Sequence, residues 1–217
     1  MWALAGLGGL MVAVALWQLA LRLVPDSRGR SFTSLPDLAH WVLGAAAVIS
    51  GAVGAAAVAA FFPASPAAVA FAAFAAVTPV LAVLDAVMHR LPFIVSGGLG
   101  VVAAVGFSWD TMASGGSERL ERAALAALIV GILALAWWWV FEGEAGPGDV
   151  ALLTVIGGFA GWLSWITVGV ALFAGFALAT LAVVVTRWGF GKAGAYHPLG
   201  SFLLAGWWAA FALAAMN

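Results

Sequence analysis

The 217-residue chain has no cysteine and only 8% charged side chains. Without cysteine it builds neither a disulfide framework nor a thiolate zinc site, and a cysteine nucleophile is excluded. Its Lys and Arg number 8 against 9 Asp and Glu, for a formal net charge of −1, and no basic run of the kind that tracks phosphates is present, so nucleic acid is excluded as a partner. His40, His89 and His197 are scattered without an i, i+4 ligand spacing, so no metal site is expected. What remains is apolar: 65% of residues are hydrophobic and the mean hydropathy is +1.14, whereas a soluble domain has roughly 45–50% apolar and 25% charged residues. The expected fold class is all-α, a polytopic integral membrane helical bundle in a lipid bilayer, forming a single membrane domain over residues 1–217.

A hydrocarbon core needs about 20 apolar residues per helix, and six stretches qualify: 1–21, 38–84, 91–109, 123–141, 150–186 and 193–217. Two of them are too long for one crossing. The first is broken by Phe61-Phe62-Pro63-Ala64-Ser65-Pro66, where two prolines remove donors and disfavour helix before them. In the second, Gly157, Gly158, Gly161 and the step Trp162-Leu163-Ser164-Trp165 point to a tight turn near 162–164. About eight transmembrane helices follow, near 2–23, 39–61, 67–88, 92–109, 121–141, 149–161, 164–186 and 198–216. Arg22, Arg28, Arg30, Arg90, Arg187 and Lys192 gather on one side. The other has Arg119 and Arg122, diluted by Asp110, Glu118 and Glu121. The basic side is the cytoplasmic one, which puts both termini outside. The first helix reads as an uncleaved anchor. Most of the 12 tryptophans fall toward helix ends and read as an interfacial belt, with Trp162, Trp165 and Trp207 among them.

Two carboxylates stand out at membrane depth, Asp85 and Asp149, both on the expected cytoplasmic side. Asp85 lies in the apolar run 80–88, where burying a carboxylate near a helix centre costs roughly 2.5–3.5 kcal/mol. Taken alone, it reads as a partner of Arg90 or His89 at the membrane surface. Asp149 follows Gly146-Pro147-Gly148 and, taken alone, reads as an N-cap of its helix. Taken together, two carboxylates brought close share a proton, because like charges a few ångströms apart do not both ionise near neutral pH. One then acts as base on water and the other as acid, with no metal, cofactor or covalent intermediate. Gly146 and Gly148 let backbone approach an extended substrate strand.

These residues resemble the type IV prepilin peptidases, intramembrane aspartic peptidases that carry a Gly-x-Gly-Asp motif. The match is Gly146-Pro147-Gly148-Asp149-Val150, then Leu152-Leu153, Ile156-Gly157 and Gly161-Trp162. The family's first motif is matched by Asp85 followed by Arg90, Leu91 and Pro92, and a weaker third echo is Pro198-Leu199-Gly200-Ser201-Phe202-Leu203. The resemblance covers 67–217, a peptidase-like catalytic core preceded in 1–66 by two helices and a short cytoplasmic loop. It implies an aspartic endopeptidase of the cell inner membrane. Asp85 and Asp149 would be catalytic, Gly146 and Gly148 would shape the substrate-binding edge, and pilin-like precursors would be cut at the cytoplasmic face. The loop 24–37 has no room for the methyltransferase domain of the larger members, so N-methylation is not implied. Two departures stand against the pattern: Ala151 replaces the family's lysine after Gly-Asp-Val, and Phe93 replaces its asparagine after the first motif's proline.

Two other classes follow from the same residues. A catalytically impaired relative acting in pilus or secretion-system assembly is motivated by Ala151, and a small proton-coupled transporter by the pair of intramembrane acids. His89 reads as headgroup-facing, Arg90 as a lipid-phosphate anchor, and Glu142 and Glu144 as solvated loop acids. The segment 117–122 reads as a helix start with internal charge pairs and no chemistry.

Overall fold

Where water is scarce every backbone polar group has to find its partner within the chain, which leaves the helix as the element for apolar runs of this length. The computed structural model describes residues 37–62, 65–88, 91–140, 146–189 and 198–216, together with Met11 and Val14. They form seven helices: α1 (Asp37–Phe61), α2 (Pro66–Met88), α3 (Phe93–Ser114), α4 (Glu118–Val140), α5 (Pro147–Leu163), α6 (Trp165–Gly189) and α7 (Leu199–Met216). The expected first crossing, 2–23, lies outside the described residues apart from Met11 and Val14, both helical and exposed.

Among the described residues, where seven of the eight expected crossings fall, six helices are long and apolar enough to cross a membrane. The helix that falls short is α5, whose 17 residues extend about 25 Å, against a hydrocarbon core of about 30 Å. Both expected breaks are present. The second is a single residue, Ser164, in extended conformation (φ −168°, ψ 164°). Its N–H donates to Ala160 O at 3.0 Å, closing α5. Its Oγ accepts the Thr167 N–H at 3.0 Å, opening α6. One residue thus serves as C-cap of one helix through its backbone N–H and as N-cap of the next through its side chain. The expected loop 110–120 contracts to Gly115, Gly116 and Ser117, because Gly115 takes a left-handed φ of 76° and donates its N–H to Thr111 O at 2.9 Å. As a result Asp110 lies on α3, while Arg122 lies on α4 as expected.

The helices group into two compact units, Met1–Gly116 and Ser117–Asn217. In the first, α2 is the central helix: 61% of its apolar window is buried, against 33% for α1 and α3. Gly51 of α1 sits against the backbone of Ala76, where a Cβ would come within 2.5 Å of the carbonyl oxygen. The rings of Phe62, Phe71 and Phe107 run from the α1 end across α2 to α3, with centroids 4.7 and 5.6 Å apart. In the second unit α5 holds the centre, with ten of its 17 residues buried. It packs on α4 through Gly157 and Gly161, whose added Cβ atoms would meet Val130 Cβ at 2.9 Å and Ala126 Cβ at 2.5 Å. The glycines expected to make a turn therefore make a helix crossing, a small-x-x-x-small contact in which backbone approach replaces hydrophobic drive. Gly206 of α7 likewise lies against Ala171 and Gly175 of α6.

The tryptophans divide. Trp109, Trp139 and Trp165 are exposed, as a belt requires, but Trp162 and Trp207 are buried at 2% each. Trp207 packs edge-on to Phe159 of α5 with centroids 6.0 Å apart. Those two are core residues of the second unit, not interfacial anchors.

Candidate functional site

Each of the two aspartates rides on the central helix of its unit. Asp85 lies one turn before the end of α2 and is 4% exposed. Asp149 is half-buried in the first turn of α5. That helix begins at Pro147, where the missing N–H is one that would be unsatisfied anyway. Its N-cap is Gly146 (φ −102°, ψ 163°), so Asp149 is the third residue of the helix and not the N-cap its position after Gly148 implied. From there its carboxylate reaches back, and the Gly146 N–H donates to Asp149 Oδ2 at 2.8 Å. This is the acidic half of a capping box. Asp149 Oδ1 has no hydrogen-bond partner among the described residues. Burial pushes the Asp149 carboxyl above the usual carboxylate value, against the smaller downward pull of the Gly146 N–H.

Gly148 is buried in the same turn. Gly146 is different. Its φ is one any residue adopts, and a Cβ there would meet nothing nearer than Asp149 Oδ2 at 3.6 Å. The fold of α5 does not require a glycine at this position. Ala151 is half-buried one turn into α5, and Phe93, at the start of α3, is 60% exposed. His89, Arg90, Glu142, Glu144, Lys192 and His197 lie outside the described residues, as do the side chains of His40 and Arg187. No group of three metal-ligating side chains occurs among the described residues.

Two charged residues to which the sequence assigned no role, Asp110 and Arg122, make specific polar contacts with the ends of neighbouring helices. Asp110 is buried on α3, and its Oδ1 accepts the Ser65 hydroxyl and the Ala67 N–H, the latter at 3.3 Å. It thereby caps the N-terminus of α2 from a neighbouring helix, with a negative charge where the helix dipole favours one. Arg122 does the reverse for α5. Its Nε donates to Gly161 O at 2.6 Å and its Nη2 to Trp162 O at 2.9 Å and Leu163 O at 3.2 Å, which satisfies three carbonyls that a helix end leaves open. The segment 117–122 does start a helix, and Arg122 adds to it a contact with the neighbouring helix end that the sequence reading did not include. Sequence offered one signal for both contacts: an acid and a base flanking a three-residue turn between apolar helices, each within reach of a neighbouring helix end.

Comparison with protein-family models, curated proteins and solved structures gives no match. The chain is shown to be a helical membrane protein of several spans.

Proposed function

We propose that the protein is a membrane aspartic endopeptidase that removes leader peptides from type IV prepilin-like precursors at the cytoplasmic face of the inner membrane. The observation that carries this reading is Asp149. A carboxyl raised above its usual value by burial, with one oxygen held by the Gly146 N–H, is suited to keep a proton that a solvated carboxylate would lose. Two membrane-spanning helices, α3 and α4, separate Asp85 from Asp149 along the chain. An even number of crossings returns a chain to the face it left, which agrees with the expectation that both carboxylates lie on the cytoplasmic side.

In this mechanism Asp85 is the base. It takes a proton from water as the water oxygen bonds to the scissile carbonyl carbon. Asp149 is the acid, stabilising the oxyanion that forms and later helping to protonate the leaving amine as the C–N bond breaks. Gly146 gives the extended substrate strand room to approach, which accounts for a glycine that the helix itself does not need.

The test is co-expression with pilin-like precursors, with leader removal scored by mobility shift. The native chain is expected to cleave. Asp85→Asn and Asp149→Asn are expected to insert at normal abundance and leave the precursor intact. Intact precursor with the native chain, in membranes where an authentic prepilin peptidase cleaves the same substrate, would overturn the reading.

A further inference from the structure

The α2–α3 pair contains a hydroxyl that its fold does not use. Ser96 is fully buried in α3, yet its Oγ has no hydrogen-bond partner among the described residues. Buried hydroxyls are nearly always bonded, and a serine in a helix has its own i−4 carbonyl within reach, so an orphan of this kind calls for a partner the folded backbone does not provide.

The register of the pair indicates what lies opposite. The buried face of α3 is Ser96, Leu99, Ala103, Gly106, Phe107 and Asp110, a single stripe at helical spacing. Its lower half is fixed against α2: Asp110 bonds Ser65 and Ala67, a Cβ on Gly106 would meet Ala70 Cβ at 3.0 Å, and the Phe107 ring lies 5.6 Å from that of Phe71. The helices run antiparallel, so each step back along α3 matches a step forward along α2. Counting on from these contacts puts Ser96 level with residues 80–82, one helical turn, or about 6 Å, from the level of Asp85. Asp85 is itself buried on α2. Side chains on antiparallel helices lean toward each other across such a step, yet Ser96 Oγ makes no direct hydrogen bond to Asp85, so a single bridging water is the partner that fits between them.

We propose that Ser96 is a positioning residue for Asp85. Its hydroxyl donates to a bridging water that in turn donates to the Asp85 carboxylate, which holds the carboxylate correctly turned to act as base. The proposal rests on the peptidase reading for its catalytic consequence, but the Ser96–Asp85 coupling is measurable without turnover.

The experiment uses the full chain and two variants, Ser96→Ala and Ser96→Thr. In the cleavage assay, Ser96→Ala is expected to lower kcat about tenfold with KM unchanged, the rate equivalent of one lost hydrogen bond, while Ser96→Thr, which keeps the hydroxyl, restores most of the rate. A purely structural role predicts a different pattern, since deleting an unpaired buried hydroxyl leaves the melting temperature unchanged or raises it and does nothing to kcat. In parallel, infrared spectra of the purified protein identify the Asp85 carboxylate band by its loss in Asp85→Asn. That band is expected to shift in Ser96→Ala and to return in Ser96→Thr. An unshifted band overturns the proposal whether or not the chain cleaves leaders. A shifted band in a chain that cleaves nothing supports the coupling and counts against the peptidase reading alone. Unchanged kcat in Ser96→Ala of a cleaving chain overturns the proposal outright.

Discussion

A guanidinium that satisfies three helix-terminal carbonyls is worth more than a surface charge. Arg122→Met keeps much of the stem and removes every donor, leaving the carbonyls of Gly161, Trp162 and Leu163 to find other partners. The expected loss is at least about 2 kcal/mol, read as a lower melting temperature by tryptophan fluorescence in detergent. Asp149 allows a different test. Its folded-state pKa is raised above the ordinary 3.8, so in the window above that value the folded state holds its proton more tightly than the unfolded chain. The contribution of this group to stability therefore falls as pH rises through the raised pKa and is recovered below 3.8. Asp149→Asn keeps an acceptor for the Gly146 N–H and does not titrate. The difference in melting temperature between variant and native chain is expected to grow in the variant's favour as pH rises over this window. Gly146→Ala is expected to cost no more than about 1 kcal/mol of stability, the N-cap preference for glycine over alanine, since its Cβ meets only ordinary contact distances, and to slow leader cleavage. Asp85 and Asp149 were visible in the sequence because carboxylates are rare in apolar runs. The roles of Asp110 and Arg122 were not, because a charge near a predicted turn looks the same whether it faces water or the end of a neighbouring helix.

Among the elements, helix positions were readable wherever composition changed abruptly. The prolines at 63 and 66 ended one helix and began another, and Pro92 precedes α3. The Ser164 joint was foreseen at the right place for the wrong reason. Glycines four residues apart, Gly157 and Gly161, were read as backbone freedom, but both have ordinary helical surroundings and serve as a flat face against Ala123, Ala126 and Val130 of α4. A single sequence does not distinguish a glycine that bends a chain from one that admits a neighbour, since both uses follow from the missing Cβ. The structural reading has a direct consequence. Gly161→Leu drives a side chain into the α4 backbone near Arg122 O, 3.0 Å from where the Cβ alone would sit. It is expected to cost about 3 kcal/mol or more, lowering the yield of folded protein in detergent. The same substitution at Gly158, whose Cβ would rest 3.5 Å from Ala127, is expected to be far milder.

At the scale of the molecule, the absence of cysteine makes sidedness simple to measure. Gly116→Cys places one thiol in the exposed turn between α3 and α4. With the basic loops cytoplasmic, a membrane-impermeant maleimide is expected to label it from the outer face of intact cells. Labelling only after the cells are opened would invert the topology and remove the cytoplasmic leader as a substrate. The bilayer class of the chain was legible from bulk composition, because burial in lipid is a property of many residues at once. The division into two units was not, because it depends on which small residues meet. Those meetings also govern how the sequence can change over generations. Every replacement of glycine adds a Cβ, and at Gly206 that atom would strike the backbone of α6, 2.5 Å from Ala171 O, before any further side-chain chemistry mattered. Gly97, Gly98 and Gly169 face open space and carry no such penalty. Descendants of this chain are thus free to wander at those three positions, whereas at Gly206 a lineage can change only if a second mutation has first moved α6 aside.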